Sequence, residues 1–277
     1  MADKLPHTSE PPHPTDVGST GDNMDWAYFQ SEQYVTYLRE HCLPGAREDH
    51  GRVPGTEFGE RTLSEMKFKR GEKVLEIGCG LGRVLQLLEG VWGLEAYGCD
   101  ISEPGIAEAK RLLPAFSERL FVSGAERVLA RGPFDHVIFW GVFEMTEQRL
   151  ALAEVSRLLR IGGTAMLSGV KSRTYWPDDA DAFAAHRAYI AKRFPIAFTD
   201  LSGFERLLQF LGLGVEKRLI FERKADVSGH RYRVAPGSEP PPERCSDIYY
   251  IVEKRMTTPF DTLIQYQPSE IAQPETS

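Results

Sequence analysis

Glu76, Gly78, Gly80 and Gly82 stand at alternate positions, and Asp100 follows Gly78 by 22 residues. These residue types at these spacings suit the capture of a nucleoside whose far end is cationic. Glycine allows positive φ and brings the backbone into contact with a ligand, because no Cβ intervenes. The stretch after the glycines has Val84, Leu85, Leu87 and Leu88 as an apolar stripe, which reads as a helix whose free N–H groups face the same ligand. A carboxylate about 20 residues beyond the first glycine is where vicinal ribose hydroxyls find a shared acceptor. A plainer reading of Asp100 is that it ends a strand before Ser102 caps the next helix.

The dinucleotide fingerprint G-x-G-x-x-G would need a third glycine at position 83, and Arg83 stands there. An acid inside the strand end, at Glu76, fits an ammonium and a sulfonium better than a pyrophosphate. In Glu76-x-Gly78-x-Gly80-x-Gly82 the chain resembles the class I S-adenosylmethionine (SAM) dependent methyltransferases of the small-molecule type. The resemblance covers residues 62–255. It implies methyl transfer from SAM to an oxygen, nitrogen or carbon nucleophile of a small-molecule acceptor, leaving S-adenosylhomocysteine. It also implies a Rossmann-like α/β fold: a seven-stranded, mostly parallel sheet with an antiparallel last strand and helices on both faces.

Residue by residue, the resemblance gives Glu76, Gly78, Cys79, Gly80 and Gly82 the methionine end of the cofactor, Asp100 the ribose and Ile101 the adenine. Where the family commonly reads Gly-Asp-Ala this chain has Gly124-Ala125-Glu126, so Ala125 carries over as a backbone contact and Glu126 as a displaced acceptor for the adenine amine. Trp140 and Gly141 lie at the reacting end, with Val142, Phe143 and Glu144 bordering the methyl. The family's Leu-Glu-His is Phe143-Glu144-Met145 here, which removes one possible base. An N-terminal helix commonly lies over the cofactor, making Tyr28 and Tyr34 candidates for the lid; an aromatic face beside a sulfonium gains roughly 0.5 to 2 kcal/mol.

The elements that must position these groups read in order along the chain. Residues 1–23 carry four prolines and little that could pack, a tail. A methyltransferase domain is expected over 24–256, with a lid region at 24–61, a substrate-facing insertion at 171–198 and a second tail at 257–277. The aromatic spacing predicts one helix from Asn23 to about Cys42, then a loop over 43–59 and a short helix or turn over Thr62–Phe68. Strands are expected at 74–77, 94–99, 120–123, 134–140 and 164–170. His136, inside the fourth, reads as a packed core group. A helix over Thr146–Arg160 is expected to stop at Gly162-Gly163, and Ser202-Gly203-Phe204-Glu205 reads as a capping box. Strands at Gly214–Glu222 and Asp247–Lys254 have no helical period between them, so they are expected to pair antiparallel.

Within the insertion, a helix over 179–193 would put Phe183, His186, Tyr189 and Ile190 on one side. His186 is a candidate base, its ordinary pKa suiting proton removal near neutral pH; Glu144 is the second. Packing alone also accounts for that helix face.

The chain has 277 residues, 42% hydrophobic and 26% charged, with a formal net charge of −7. That balance offers no field to hold a phosphate polymer, which argues against nucleic acid as partner. The four cysteines form no C-x-x-C pair and no metal spacing, as expected of reduced thiols in the cytoplasm. No run of 18 apolar residues points to a membrane. Three other readings compete: a protein methyltransferase, a SAM-fold protein that binds without transferring, and an NAD-linked oxidoreductase, the last disfavoured by Arg83 and the terminal strand pair.

Overall fold

A computed structural model describes residues 25–42, 57–172, 197–222 and 231–257. The helix expected over 179–193, and His186 with it, lies outside the described residues. At the centre is β1 (Lys73–Ile77), buried at four of its five positions. The glycine turn leads into α4 (Arg83–Trp92), whose apolar face buries Val84, Leu85, Leu87 and Leu88. It ends at Gly93, in the left-handed conformation that satisfies the last carbonyls. Then follow β2 (Glu95–Asp100), α5 (Glu103–Leu112), β3 (Leu120–Val122), β4 (Phe134–Phe139), α6 (Gln148–Leu158) and β5 (Leu159–Ser172). After them come β6 (Phe198–Thr199), α7 (Leu201–Phe210), β7 (Leu213–Phe221), β8 (Arg233–Pro236) and β9 (Asp247–Lys254). Before β1 lie α1 (Trp26–Phe29), α2 (Glu32–Cys42) and α3 (Glu57–Ser64). Among the described residues, no helix is long and apolar enough to cross a membrane.

The sheet order is β3-β2-β1-β4-β5-β9-β7-β8, with β6 paired to β5. Strands β1 to β6 pair parallel, and β9 enters antiparallel between β5 and β7. The expected final pair is present, with β8 added on the outer side of β7. One apolar cluster joins a face of the sheet to α6 and α7 through Leu152, Val155, Phe204 and Leu208. A second joins the other face to α4 and α5 through Leu85, Leu88, Ile106 and Ala109. Parallel strands with both faces covered in this way account for the near-continuous apolar runs of β1 and β4.

Four boundaries differ from expectation, each for a local reason. The N-terminal helix breaks between Phe29 and Glu32, because the Ser31 hydroxyl donates to the Tyr28 carbonyl (2.6 Å) and accepts from the Tyr34 N–H (3.4 Å). A serine that serves the backbone in this way interrupts the helical ladder. Helix α3 starts at Glu57, inside the stretch read as loop. Helix α6 gives way to β5 at Leu159, so Gly162 and Gly163 sit within the strand rather than stopping a helix. A Cβ on Gly163 would come within 2.9 Å of the Asp135 carbonyl, so close strand packing requires the glycine. Finally, Asp200 and not Ser202 caps α7, accepting from the Gly203 N–H at 3.1 Å.

His136 behaves as a core group. Its Nδ1 lies 2.8 Å from Thr164 Oγ1 and its Nε2 2.9 Å from Glu72 Oε2, at the amino ends of the strands and away from the glycine turn. At the far side of the sheet Arg218, 1% exposed, makes a two-pronged contact with Glu205 at 2.7 and 2.6 Å and donates to the carbonyls of Pro236 and Glu239. It fastens α7, β7 and the chain after β8 together.

Candidate cofactor site and its surroundings

The site is built where β1 and β4 part, the switch point at which open α/β sheets bind ligands. Gly78 and Gly82 take φ of 80° and 78°, a left-handed region unfavourable for other residues. A Cβ on Gly78 would approach Val142 to 2.5 Å. The N–H groups of Gly78 and Cys79 both donate to the Cys99 carbonyl, at 2.7 and 2.9 Å, tying the turn to the end of β2. Asp100 completes the tie: one carboxylate oxygen accepts from the Gly80 N–H at 3.0 Å, the other from the Ser102 N–H at 2.9 Å. Burial raises the Asp100 pKa, and these N–H donors hold it back. Burial likewise pushes the Cys79 and Cys99 thiols up, so both remain protonated packing groups.

A cavity of about 480 Å³, counted with the open solvent at its mouth, lies against this turn. Its walls include Ile77, Gly78, Asp100 and Ile101 on one side and Ser123, Ala125 and Glu126 on another. Val142, Met145 and Thr146, from the short turn after β4, close the base, and Phe29 and Tyr34 cover it. Burial, with the Asp100 charge adding, raises the Tyr34 pKa well above its ordinary value, so its hydroxyl remains protonated over the acid. Glu126 receives the Glu147 N–H at 3.0 Å, and its own pKa is raised by burial.

Glu76 is the informative residue. It is 2% exposed, and its Oε2 has no hydrogen-bond partner among the described residues. Burial drives its pKa well up, with Arg83 opposing and Asp100 adding to the rise. A buried carboxylate atom without a partner costs free energy, and a cationic ammonium arriving beside it would remove that cost. The residues present therefore fit SAM: Glu76 would hold its ammonium, Asp100 its ribose and Glu126 its adenine amine.

Other candidate residues stand further off. Trp140 does not line the cavity and packs among the rings of β9 and α3, 6.2 Å from Tyr249 and 6.4 Å from Phe58. Gly141 donates its N–H to Ser168 Oγ at 2.7 Å, and nothing lies within 4 Å of where its Cβ would be. Gly80 and Gly82 shape the turn behind the cavity wall. Glu144 is buried against Gly169 of β5. Tyr28 packs edge-on against Phe29 and Tyr34 at 5.6 Å, one ring removed from the cavity. Phe29, Ser123, Met145 and Thr146 line the cavity without having been singled out from sequence. Phe29 alone had a signal, its place in the aromatic stripe.

The cover is fastened by side chains. Gln30 donates to the Ile101 carbonyl at 2.7 Å and accepts from the Glu103 N–H at 3.1 Å. Arg39 of α2 reaches Glu108 of α5 at 2.9 Å, and Arg111 reaches the same carboxylate at 2.7 Å. The two guanidiniums hold Glu108 at a pKa of about 2, down from 4.5. A depressed carboxylate stabilises the folded state above its unfolded value, and that contribution is lost as pH falls from about 4.5 toward 2. Because both arginines are substantially exposed, Glu108→Gln is expected to cost about 1 kcal/mol or less. Hydrogen exchange should show it as faster exchange in α2 with β1 and β4 unchanged.

A sheet of this order with β9 reversed between β5 and β7, a glycine turn after β1 and an acid closing β2 define the class I methyltransferase fold. Comparison with known proteins agrees. Residues 74–163 match the family described as methyltransferase domain. The O-methyltransferase cnsE of Penicillium expansum is 26% identical over 182 residues, 60% of this chain and 62% of that protein; the chain thus spans less than two thirds of this relative's length. Among solved structures, a TehB-like SAM-dependent methyltransferase from Corynebacterium glutamicum is similar with a TM-score of 0.52 at 21% identity, covering 82% of this chain and 98% of that one. Phosphoethanolamine N-methyltransferase 2 of Haemonchus contortus, in complex with SAM, gives a TM-score of 0.53 at 17% identity, over 71% of this chain and 46% of that one. Residues 74–163 therefore match a methyltransferase domain, set in a sheet with the class I methyltransferase fold.

Proposed function

We propose that the protein transfers a methyl group from SAM to a nucleophile of a small-molecule acceptor, with oxygen the atom favoured. The observation that carries this reading is the buried, unpartnered Glu76 oxygen beside a turn organised by Asp100. The name of the Penicillium relative supports oxygen over nitrogen or carbon, and the net charge of −7 supports a small acceptor over nucleic acid.

Bound SAM supplies a methyl already activated by its sulfonium. What the chain contributes is placement. Asp100, with its two oxygens fixed by the Gly80 and Ser102 N–H groups, offers its remaining lone pairs to the ribose hydroxyls. Glu76 orients the ammonium, and Phe29 and Tyr34 exclude water from above. Placement of two reactants can account for up to about 7 to 11 kcal/mol of a barrier, so the chemistry does not require a base in contact with the sulfonium end.

Calorimetric titration of the purified protein with SAM, S-adenosylhomocysteine and NAD tests the reading. Saturable binding of the first two and none of NAD is the expected result. Binding of NAD instead, or of none of them, would overturn it.

A further inference from the structure

Lys171 and Asp247 are oppositely charged, buried and unused by any role described above. Lys171, near the end of β5, sets its Nζ against Oδ1 of Asp247, the first residue of β9, and the side chains are 5% and 2% exposed. A buried ion pair stabilises a fold little compared with apolar residues of the same volume, so the location needs a different explanation. Both residues stand at the carboxyl edge of the parallel strands, the edge where open α/β sheets bind ligands.

They also share a face with Glu76. Glu76 pairs laterally with Ile138, Ile138 with Met166, and Met166 with Ile251. Laterally paired side chains lie on one face, and the two-residue alternation of a strand carries that face along β9 to Tyr249 and Asp247. From β1 to β5 is two strand spacings, about 10 Å, which sets the pair beyond the methionine end of the cofactor site on the side of Trp140. Aromatic rings flank it: Trp140 lies 6.2 Å from Tyr249, Tyr249 4.9 Å from Phe221, and Phe221 pairs laterally with Asp247.

We propose that Lys171 and Asp247 form the acceptor end of the active site and select an aromatic hydroxyl as the methyl-receiving group. This rests on the methyl-transfer reading above. A phenolic hydroxyl complements the pair, since its proton is donated to the carboxylate while its oxygen accepts from the ammonium. A carboxylate acceptor would be repelled by Asp247 and an ammonium by Lys171, while the rings select for a flat apolar body. In the step, Asp247 takes the hydroxyl proton and Lys171 holds the oxygen as charge gathers on it. That oxygen's electron pair forms the bond to the methyl carbon as the carbon–sulfur bond breaks, its pair leaving with sulfur. The products are an aryl methyl ether and S-adenosylhomocysteine, and protonated Asp247 returns its proton to water.

The test uses SAM with a radiolabelled methyl and the probes catechol, 2-naphthol and 7-hydroxycoumarin, with 2-(aminomethyl)naphthalene, an ammonium at neutral pH, and 2-naphthoic acid as controls. Label is expected in the hydroxylated probes and not in the controls. The double variant K171M/D247L, which leaves neither charge unpaired, is expected to keep the wild-type SAM affinity in calorimetry and lose at least about a hundredfold in turnover. A purely structural pair would leave turnover intact in a variant that folds. Should the double variant not fold, Asp247→Asn, which keeps the shape and removes the proton acceptor, is expected to show the same loss. Unchanged turnover in a folded variant overturns the proposal, as does a SAM-binding wild type that labels none of the hydroxylated probes. Failure of the wild type to bind SAM would strike the underlying reading instead.

Discussion

Asp100→Ala is expected to weaken SAM binding by at least about a hundredfold in calorimetry. Two hydrogen bonds to a charged acceptor, at about 1.5 kcal/mol each at the low end, amount to roughly 3 kcal/mol. The loss has a second source inside the protein. Asp100 is 4% exposed and receives the Gly80 and Ser102 N–H groups on different oxygens. Alanine orphans both donors, so the glycine turn loses its anchor and the melting temperature should fall as well.

Asparagine separates the two contributions only in part. Its single carbonyl oxygen can accept from one of the two N–H groups, and its NH₂ then faces the other donor. Asp100→Asn is therefore expected to lose SAM affinity as well, while retaining more stability than alanine does. Wild-type affinity in either variant would remove Asp100 from the cofactor site and leave it as a strand-ending residue.

The parts of this site that sequence made legible are those whose geometry is local. Glu76, the three glycines and the helix after them are contiguous, and the φ values of Gly78 and Gly82 follow from residue type. Asp100 was legible because a strand, a turn and a helix fix its distance along the chain. Tyr28 and Phe29 show the limit. Helical spacing puts Phe29 and not Tyr28 in the aromatic stripe, but the break at Ser31 separates α1 from α2, so spacing alone could not say which rings reach the cavity wall, where Phe29 and Tyr34 stand. The capping of α7 by Asp200 depends on the backbone conformation two residues before the serine that pattern favours. The Lys171 and Asp247 pair joins residues 76 positions apart, across an antiparallel strand that no spacing rule could register. Met145 and Thr146 line the cavity because a short 3-10 turn over Phe143–Met145 folds back under it, and no periodicity signals such a turn.

Glu76→Gln is expected to move stability and binding in opposite directions. Without cofactor, the wild-type carboxylate is buried with an unpartnered oxygen, at a cost of about 1 to 3 kcal/mol. At pH above the raised folded pKa, where the carboxylate is ionised, glutamine keeps the shape and removes the charge, so the cofactor-free variant should melt higher there, by about 2 to 4 °C per kcal/mol recovered for a domain of this size. Its SAM affinity should fall about tenfold to a hundredfold, the value of a charge-assisted bond to the ammonium. The pH dependence fixes the sign independently. Burial raises the folded pKa of Glu76 above its ordinary 4.5, so the folded protein without cofactor holds a proton there that the unfolded chain releases. That contribution to stability is present below about 4.5 and is lost as pH rises through the raised folded value. Binding of a cation requires the ionised form, so wild-type SAM affinity should climb across the same window while the Glu76→Gln variant loses this component of the climb. Scanning fluorimetry and calorimetry over that pH range measure both. A variant that melts lower than wild type and binds SAM equally well would show that Glu76 serves the fold and not the ligand.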